Sequence, residues 1–160
     1  MKKELDDYIH DHTMPEENVL KELERETHVK IYHPRMISGH LQGKILYMIC
    51  KMINPLNILE IGTFTGYSAI CMALALKENA QIHTIEINDE IKDFTSEYIK
   101  KAGVQNKIIQ YTGDALKIIP GLTTSFDLVF IDGDKRQYCD YFDLVKSKIP
   151  VNGFIIADNV

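Results

Sequence analysis

The chain has 160 residues, 18 basic and 23 acidic side chains, a formal net charge of −5 and three cysteines. A hydrophobic share of 45% is typical of one globular domain with a buried core, which excludes disordered, collagen-like and repeat proteins. The negative net charge does not favour non-specific binding to nucleic acid. No apolar run approaches the roughly 20 residues that a membrane crossing requires. We expect a cytoplasmic protein, since the first residues also lack the apolar segment of a signal peptide.

The cysteines and histidines show neither disulfide nor zinc-site spacing. Cys50, Cys71 and Cys139 lie far apart in apolar stretches, so we expect three buried, reduced thiols. The six histidines match neither HExxH nor tetrahedral zinc spacing. We expect most of them at the surface or at helix ends.

Residues 1–55 are predicted to form a helical cap. The segment 15–30 carries Val19, Leu20 and Leu23 among charged residues, which is typical of a helix that packs through a narrow apolar stripe. A second helix is predicted at 39–53, and Asn54-Pro55 ends it. The apolar stripe of this second helix comprises Leu41, Ile45, Met48, Ile49 and Met52.

Residues 56–160 are predicted to form an α/β core, a doubly wound Rossmann-like parallel sheet in which strands alternate with helices. The predicted strands are 57–61, 81–87, 107–111, 126–131 and 153–157, and the predicted helices are 66–77, 88–102, 114–119 and 138–149. The last strand would leave a long apolar edge, which proteins normally cover. We therefore expect that the chain is shortened at its C-terminus.

The turn after the first strand predicts a site for a nucleoside-bearing cofactor. The stretch from Glu60 to Gly66 (EIGTFTG) places glycines next to a helix N-terminus, where free N–H groups favour a carboxylate or phosphate. It is not GxxxxGK[ST], and it lacks the middle glycine of GxGxxG. Glu86, at the end of the second strand, stands where an acidic side chain accepts hydrogen bonds from ribose hydroxyls.

Glu60 distinguishes between cofactors. Its charge would repel a pyrophosphate and attract an ammonium group, and S-adenosylmethionine carries an ammonium, a carboxylate, a ribose and a sulfonium cation. The alternative role for Glu60 is to cap nearby loop amides. The sequence therefore favours S-adenosylmethionine over a dinucleotide.

Oxygen-bearing side chains follow the fourth and fifth strands. If these strands are adjacent, Asp132, Asp158 and Asn159 converge, because neighbouring strands lie roughly 5 Å apart. An all-oxygen set suits a hard divalent cation, Mg²⁺ first and Ca²⁺ or Mn²⁺ as alternatives, whereas capping is the alternative role for each residue. Lys135 would face the same site as a general base, or else be a solvated surface lysine. Asp134 is interpreted as a helix cap.

These segments together resemble the cation-dependent O-methyltransferases of the class I S-adenosylmethionine fold, the group of catechol and caffeoyl-CoA O-methyltransferases and small bacterial relatives. The resemblance covers nearly the whole chain, through PEEN, MISGHLQGKIL, LEIGTFTGYSAI, IHTIEIN, YTGDAL, FDLVFIDGDKRQY and GFIIADNV. It implies a fold with strands 1 to 5 present and the final two strands absent. In the family those strands complete the sheet and contribute to the substrate pocket and dimer contacts, so a homodimer is implied for the full-length form.

The resemblance also implies a role for each cofactor residue. Met36 and Ser38 would close over the cofactor, and Glu86 would bind its ribose. The residues implied at its methionine end are Glu60, Gly62, Thr63 and Ser68. Those implied beside the adenine are Ile87, Asp114 and Ala115.

The implied reaction is in-line transfer of a methyl group to a metal-chelated hydroxyl of a catechol-like small molecule. Asp132, which would serve both cofactor and metal, is implied with Asp158 and Asn159 as the metal ligands, and Lys135 as the catalytic base. Three alternatives remain open. They are methylation of a hydroxylated uridine in tRNA, a dehydrogenase or nucleotide-binding module on the same fold, and a cofactor-binding fragment without activity.

Overall fold

The computed structural model describes residues 2–159, which form a five-stranded parallel sheet with helices on both faces. The strands are β1 (Asn57–Ile61), β2 (Gln81–Glu86), β3 (Ile108–Thr112), β4 (Leu128–Ile131) and β5 (Phe154–Ala157). The α-helices are α1 (Lys2–His12), α2 (Asn18–Lys30), α3 (Gly39–Ile53), α4 (Tyr67–Ala75), α5 (Lys92–Lys101), α6 (Ala115–Ile118) and α7 (Tyr138–Val145). The predicted α/β fold with five parallel strands is confirmed.

The strand order β3-β2-β1-β4-β5 places the reversal of the sheet between β1 and β4. The chain first moves outward from β1 to β3 and then returns to the other side of β1. Ligands of such sheets bind outside the carboxyl ends of the strands at this reversal. The predicted adjacency of the fourth and fifth strands is confirmed, since β4 pairs with β5 along its whole length.

One apolar core lies on each face of the sheet. The first joins the cap to the sheet, because Leu20 and Leu23 of α2 and Leu46 of α3 belong to the same cluster as Ile58 of β1. The second lies under α6 and α7 and includes Phe126 and other fully buried side chains. Helix α4 is buried on nearly every side, as its continuous apolar sequence predicts.

The predicted apolar stripe of α3 is largely exposed rather than packed against the core. Leu41, Ile45, Met48 and Met52 are 44 to 76% exposed, whereas the face that packs against α4 carries Gly43, Lys44, Leu46 and Cys50. The helix boundaries are as predicted, but its orientation is not. The reason is that α3 approaches α4 through the small residue Gly43, while the buried Lys44 pairs with Glu17.

Helix α1 has no counterpart among the predicted elements. Among the side chains that the structure describes in this helix, Leu5 and Tyr8 are more than half exposed, so these two form no buried stripe of the kind on which periodicity depends. Within residues 2–159 there is no helix whose length and apolarity would suffice to span a bilayer.

The expectation of three buried thiols is wrong for one of them. Cys50 and Cys71 are buried, but Cys139 is exposed on the outer side of α7. Burial raises the pKa of the Cys50 thiol to about 12, so this thiol stays protonated.

His83 is an exception to the expected surface position of the histidines. Its ring is buried and stacks on Tyr111. The Nδ1 of His83 is hydrogen-bonded to the Tyr111 hydroxyl at 2.9 Å, and burial lowers the pKa of His83. This pair ties β2 to β3 on the face of the sheet that packs under α6 and α7.

Candidate active site

A cavity of about 620 Å³ lies at the carboxyl ends of the strands, between the sheet and the segment that precedes α3. This volume is within the roughly 300–1,000 Å³ of typical small-molecule sites. Every site residue predicted from the sequence lines it except Glu60. Met36 and Ser38 form the part of the wall contributed by the cap, and Met36 is 63% exposed.

The glycine turn after β1 brings the backbone against β4. Gly62 has φ +101°, and a Cβ at this position would lie 2.2 Å from the carbonyl oxygen of Asp132. Gly66 has φ +85° at the start of α4, whose first N–H groups have no partners within the helix. Thr63 and Ser68 are nearly buried and also line the cavity. The turn therefore offers backbone donors to the cavity and tolerates no side chain at Gly62.

Glu60 lies beneath this turn rather than in the cavity wall. It is fully buried and accepts hydrogen bonds from the hydroxyls of Ser68 at 2.6 Å and Thr84 at 2.5 Å. Burial raises the pKa of Glu60 to about 7, although both hydrogen bonds oppose the rise. From the sequence we expected a ligand to contact Glu60 directly, but the burial of Glu60 prevents this contact. Glu60 is linked to the cavity through its hydrogen bond with Ser68.

Glu86 shapes the turn from the end of β2. Its Oε2 accepts a hydrogen bond from the Phe64 amide at 2.7 Å and its Oε1 accepts one from the Asn88 amide at 3.0 Å. The first bond holds Phe64 at φ +47°, a left-handed conformation that is uncommon outside glycine. Glu86 remains part of the cavity wall, with the largely exposed Ile87 beside it.

Asp114 and Ala115 line the cavity from the start of α6. The Oδ1 of Asp114 accepts a hydrogen bond from the Leu116 amide at 2.9 Å. It is therefore a helix N-cap, in addition to the role beside the adenine that the family resemblance implies.

The carboxyl groups of Asp132 and Asp158 meet where β4 and β5 end. Both side chains line the cavity, and the Asp158 carboxyl is close enough to affect the pKa of Asp132. Burial and then the Asp158 carboxylate raise the pKa of Asp132 to about 6, and the Lys135 ammonium opposes the rise. Two carboxyl groups this close favour a shared proton or a bound cation over two bare charges.

Asn159 and Lys135 complete this corner of the cavity. Asn159 has φ +53°, and its carbonyl oxygen accepts a hydrogen bond from Lys135 Nζ at 3.3 Å. In the described part of the chain, no three His, Cys, Asp or Glu side chains cluster as a metal site would require. A cation here would be held by two carboxylates and an amide, a set of hard oxygen donors that leaves positions open for a substrate.

Asp134 is a cap, as predicted. Its Oδ1 accepts a hydrogen bond from the Arg136 amide at 3.1 Å and starts the short 3₁₀ turn Lys135–Gln137. Arg35 and Gln42 also line the cavity, although the sequence motifs did not single them out. Arg35 directly precedes Met36, and Gln42 follows Ser38 by one helical turn. These two positions could have identified both residues from the sequence.

Known proteins share both the sequence and the fold. A family model described as O-methyltransferase matches residues 10–160. Caffeoyl-CoA O-methyltransferase of Medicago sativa is 36% identical over 150 residues, which are 90% of this chain and 60% of that protein. Catechol O-methyltransferase of Niastella koreensis is 37% identical over 123 residues, 74% of this chain and 56% of that protein.

Solved structures with a similar fold are also described as O-methyltransferases. The O-methyltransferase TomG of Streptomyces achromogenes in complex with SAM superposes with a TM-score of 0.91 at 30% identity, covering 98% of this chain and 71% of TomG. The O-methyltransferase of Bacillus cereus in complex with SAH gives a TM-score of 0.90 at 28% identity, covering 97% and 72%. The chain spans 49 to 64% of the length of curated relatives that it matches. By sequence and by fold, this chain belongs to the O-methyltransferase family.

Proposed function

We propose that this protein is an S-adenosylmethionine-dependent, divalent-cation-dependent O-methyltransferase that acts on a catechol-like hydroxyl. The observation that carries the proposal is the meeting of Asp132 and Asp158 in the same cavity as the glycine turn at Gly62. A cofactor held by the turn and a cation held by the two carboxylates would then lie side by side. An acceptor bound between them would be placed for direct transfer.

The cavity wall fits the parts of the cofactor. The free amides at the start of α4 suit its carboxylate, and Glu86 presents a carboxylate to its ribose hydroxyls. Glu60 holds the methionine end indirectly, by fixing Ser68. Met36 and Ser38 line the cavity on the side of the cap and would cover the cofactor there. The relatives named in complex with SAM and SAH support the same cofactor for this chain.

Asp132, Asp158 and Asn159 would hold the cation, and Mg²⁺ suits their oxygen donors best. When bound, the cation supplies charge stabilisation for the developing oxyanion of the acceptor and lowers the pKa of its hydroxyl. Asp132 also touches the glycine turn through its backbone, at Gly62. It therefore links the cofactor half of the cavity to the cation half.

Lys135 would accept the proton of the acceptor hydroxyl at its Nζ. The Lys135 Nζ lies 3.3 Å from the carbonyl oxygen of Asn159 and acts electrostatically on Asp132, so it faces the cation corner. The neutral amine of Lys135 is the form that would take up this proton.

The acceptor is proposed to be a small hydroxylated aromatic molecule with two adjacent oxygens, which can both reach a cation. The names of the catechol and caffeoyl-CoA relatives support this class. Methylation of tRNA by the same residues is the alternative, and the net charge of −5 does not favour it. A cytoplasmic location and a homodimer of the full-length form remain predictions.

The proposal is tested by binding and by turnover. S-adenosylhomocysteine at 100 times its dissociation constant is expected to stabilise the protein by about 2.7 kcal/mol, whereas NADH is expected to have no effect. Methylation of a catechol panel is expected to stop with EDTA and to return with excess Mg²⁺. Stabilisation by NADH alone, or turnover that ignores EDTA, would contradict the cofactor or the cation respectively.

A matched pair of variants separates cation binding from general charge effects. Asp158→Asn removes one proposed ligand charge and is expected to weaken Mn²⁺ binding at least about tenfold. Asp140→Asn removes an exposed carboxylate on α7 and is expected to leave Mn²⁺ binding unchanged. Equal affinities for the two variants would show that Asp158 is not a ligand.

A further inference from the structure

The regular pairing of β4 and β5 ends just before the two carboxylates. The last paired residues are Ile131 and Ala157, and the Asp158 amide donates one more hydrogen bond to the Ile131 carbonyl at 3.0 Å. At the next residue, Asn159, the backbone adopts a left-handed conformation and the extended strand ends. Asp158 follows directly after the last paired residue of β5, so it lies just outside the regular ladder.

A tyrosine hydroxyl from α7 spans this junction. The Tyr138 hydroxyl lies 3.0 Å from the carbonyl oxygen of Asp158 and 3.3 Å from that of Ile131, and its one proton is shared between these two acceptors. One carbonyl belongs to Asp158 itself, and the other immediately precedes Asp132. Tyr138 is half-buried and packs against the core under α7, so its ring holds the hydroxyl in place.

We infer that Tyr138 is a positioning residue that sets the spacing of Asp132 and Asp158 by bridging the backbone at the ends of β4 and β5. This inference rests on the proposed cation site. The two carboxylates repel each other when both are charged, and both lie just beyond Ile131 and Ala157, the last paired residues of β4 and β5. The bridge from Tyr138 opposes that separation and keeps the donors at the distance that one cation requires.

The inference differs from a simple packing role in what it predicts for Tyr138→Phe. That variant keeps the ring and removes only the hydroxyl, so the core under α7 stays filled. Tyr111→Phe is the matched control: it also removes the hydroxyl of a half-buried tyrosine, one bonded to His83 at the far edge of the sheet. Each variant loses the hydrogen bonding of one tyrosine hydroxyl, so a loss of stability alone does not separate the two roles.

The experiment measures Mn²⁺ binding by the paramagnetic resonance of free Mn²⁺ and S-adenosylhomocysteine binding by calorimetry, for wild type and both variants. Residues that orient metal ligands contribute about 10- to 100-fold to metal affinity. We therefore expect the Mn²⁺ dissociation constant to rise by that factor in Tyr138→Phe and to stay unchanged in Tyr111→Phe. The S-adenosylhomocysteine affinity of Tyr138→Phe is expected to change much less, because the glycine turn does not depend on Tyr138.

Each outcome has a distinct meaning. If Tyr138→Phe binds Mn²⁺ as tightly as wild type does, the positioning role is wrong and the proposed function is unaffected. An equal loss in both variants overturns it as well, because the effect would then be one of general stability. Wild-type protein that takes up no Mn²⁺ overturns the cation site and the inference together.

Discussion

The carboxyl of Glu60 is fully buried, and its two hydrogen-bond donors are the neutral hydroxyls of Ser68 and Thr84. Hydroxyl groups stabilise a buried charge less than a cation does, because they supply only partial charges. The neighbouring Asp132 and Glu86 carboxylates further disfavour ionisation. Glu60 therefore gains or loses a proton near neutral pH, and its state is coupled to the stability of the glycine turn.

Glu60→Gln is expected to change how stability depends on pH. Burial raises the pKa of Glu60 from 4.5 to about 7 in the folded state, so between these values the folded protein binds more protons than the unfolded chain. The Glu60 contribution to the free energy of unfolding thus falls as pH rises from about 4.5 to 7, by at most about 3 kcal/mol. Glutamine does not ionise, so Glu60→Gln gains stability relative to wild type over this interval.

Urea unfolding of both proteins at several pH values between 4.5 and 8 measures this difference. Glu78→Gln is the control for the removal of one carboxylate from the protein surface, because the Glu78 side chain is 99% exposed. If the free energies of unfolding of wild type and Glu60→Gln differed by the same amount at every pH, the prediction would be contradicted.

Gly62 tests the close approach of the turn to β4. Gly62→Ala combines a positive φ with a Cβ placed 2.2 Å from the Asp132 carbonyl oxygen, so backbone strain and overpacking together are expected to cost about 2–6 kcal/mol. Gly103→Ala also has a positive φ, +71°, but meets no atom within 4 Å, so its cost is about 1–2 kcal/mol. Chemical denaturation measures both values, and equal costs would show that the turn can move away from Asp132.

Among the elements, α3 shows why an apolar pattern can predict the wrong face. A Cβ at Gly43 would lie 2.6 Å from Cys71 Sγ, so α3 and α4 approach closely through a glycine. Lys44 is 9% exposed and pairs with Glu17 at 3.0 Å. A glycine and a lysine both count against burial in a periodicity analysis, although Gly43 contacts α4 and Lys44 is buried in its ion pair with Glu17.

Alanine substitutions on the two faces of α3 distinguish these orientations. Leu46→Ala removes a side chain that is 2% exposed and is expected to lower the free energy of unfolding by about 2–5 kcal/mol. Met48→Ala removes one that is 54% exposed and is expected to change it by less than about 0.5 kcal/mol. Thermal and urea unfolding measure both. A larger loss at Met48 would mean that the predicted stripe is the packed one.

Across the protein as a whole, the site was more predictable from the sequence than the packing around it. Asp132, Asp158 and Glu86 were predictable because the carboxyl ends of parallel strands meet at one edge, whichever helices cover the sheet. The burial of Glu60 was not, because it depends on Thr84 and Ser68, which lie on different elements. The orientation of α3 likewise depends on its contact with α4, which is a tertiary contact that local periodicity does not encode.

The cavity joins two parts of the chain that are distant in sequence. Its walls come from the segment 35–42 before and within α3 and from the ends of β1, β2, β4 and β5. A ligand that contacts both walls binds only when they are together, so binding opposes local opening of the cap. This stabilisation by ligand depends on the whole fold, because neither wall forms the site alone.

Saturating S-adenosylhomocysteine is therefore expected to slow amide hydrogen exchange at 35–38 and at 62–68 at least about tenfold, since occupancy near ten times the dissociation constant already has that effect on a local opening. The outer edge of the sheet serves as an internal control. Strand β3 and helix α5 contribute no wall residue to the cavity, so their local exchange is expected to change less. Protection of the glycine turn without protection of the cap would show that Met36 and Ser38 do not close over the ligand.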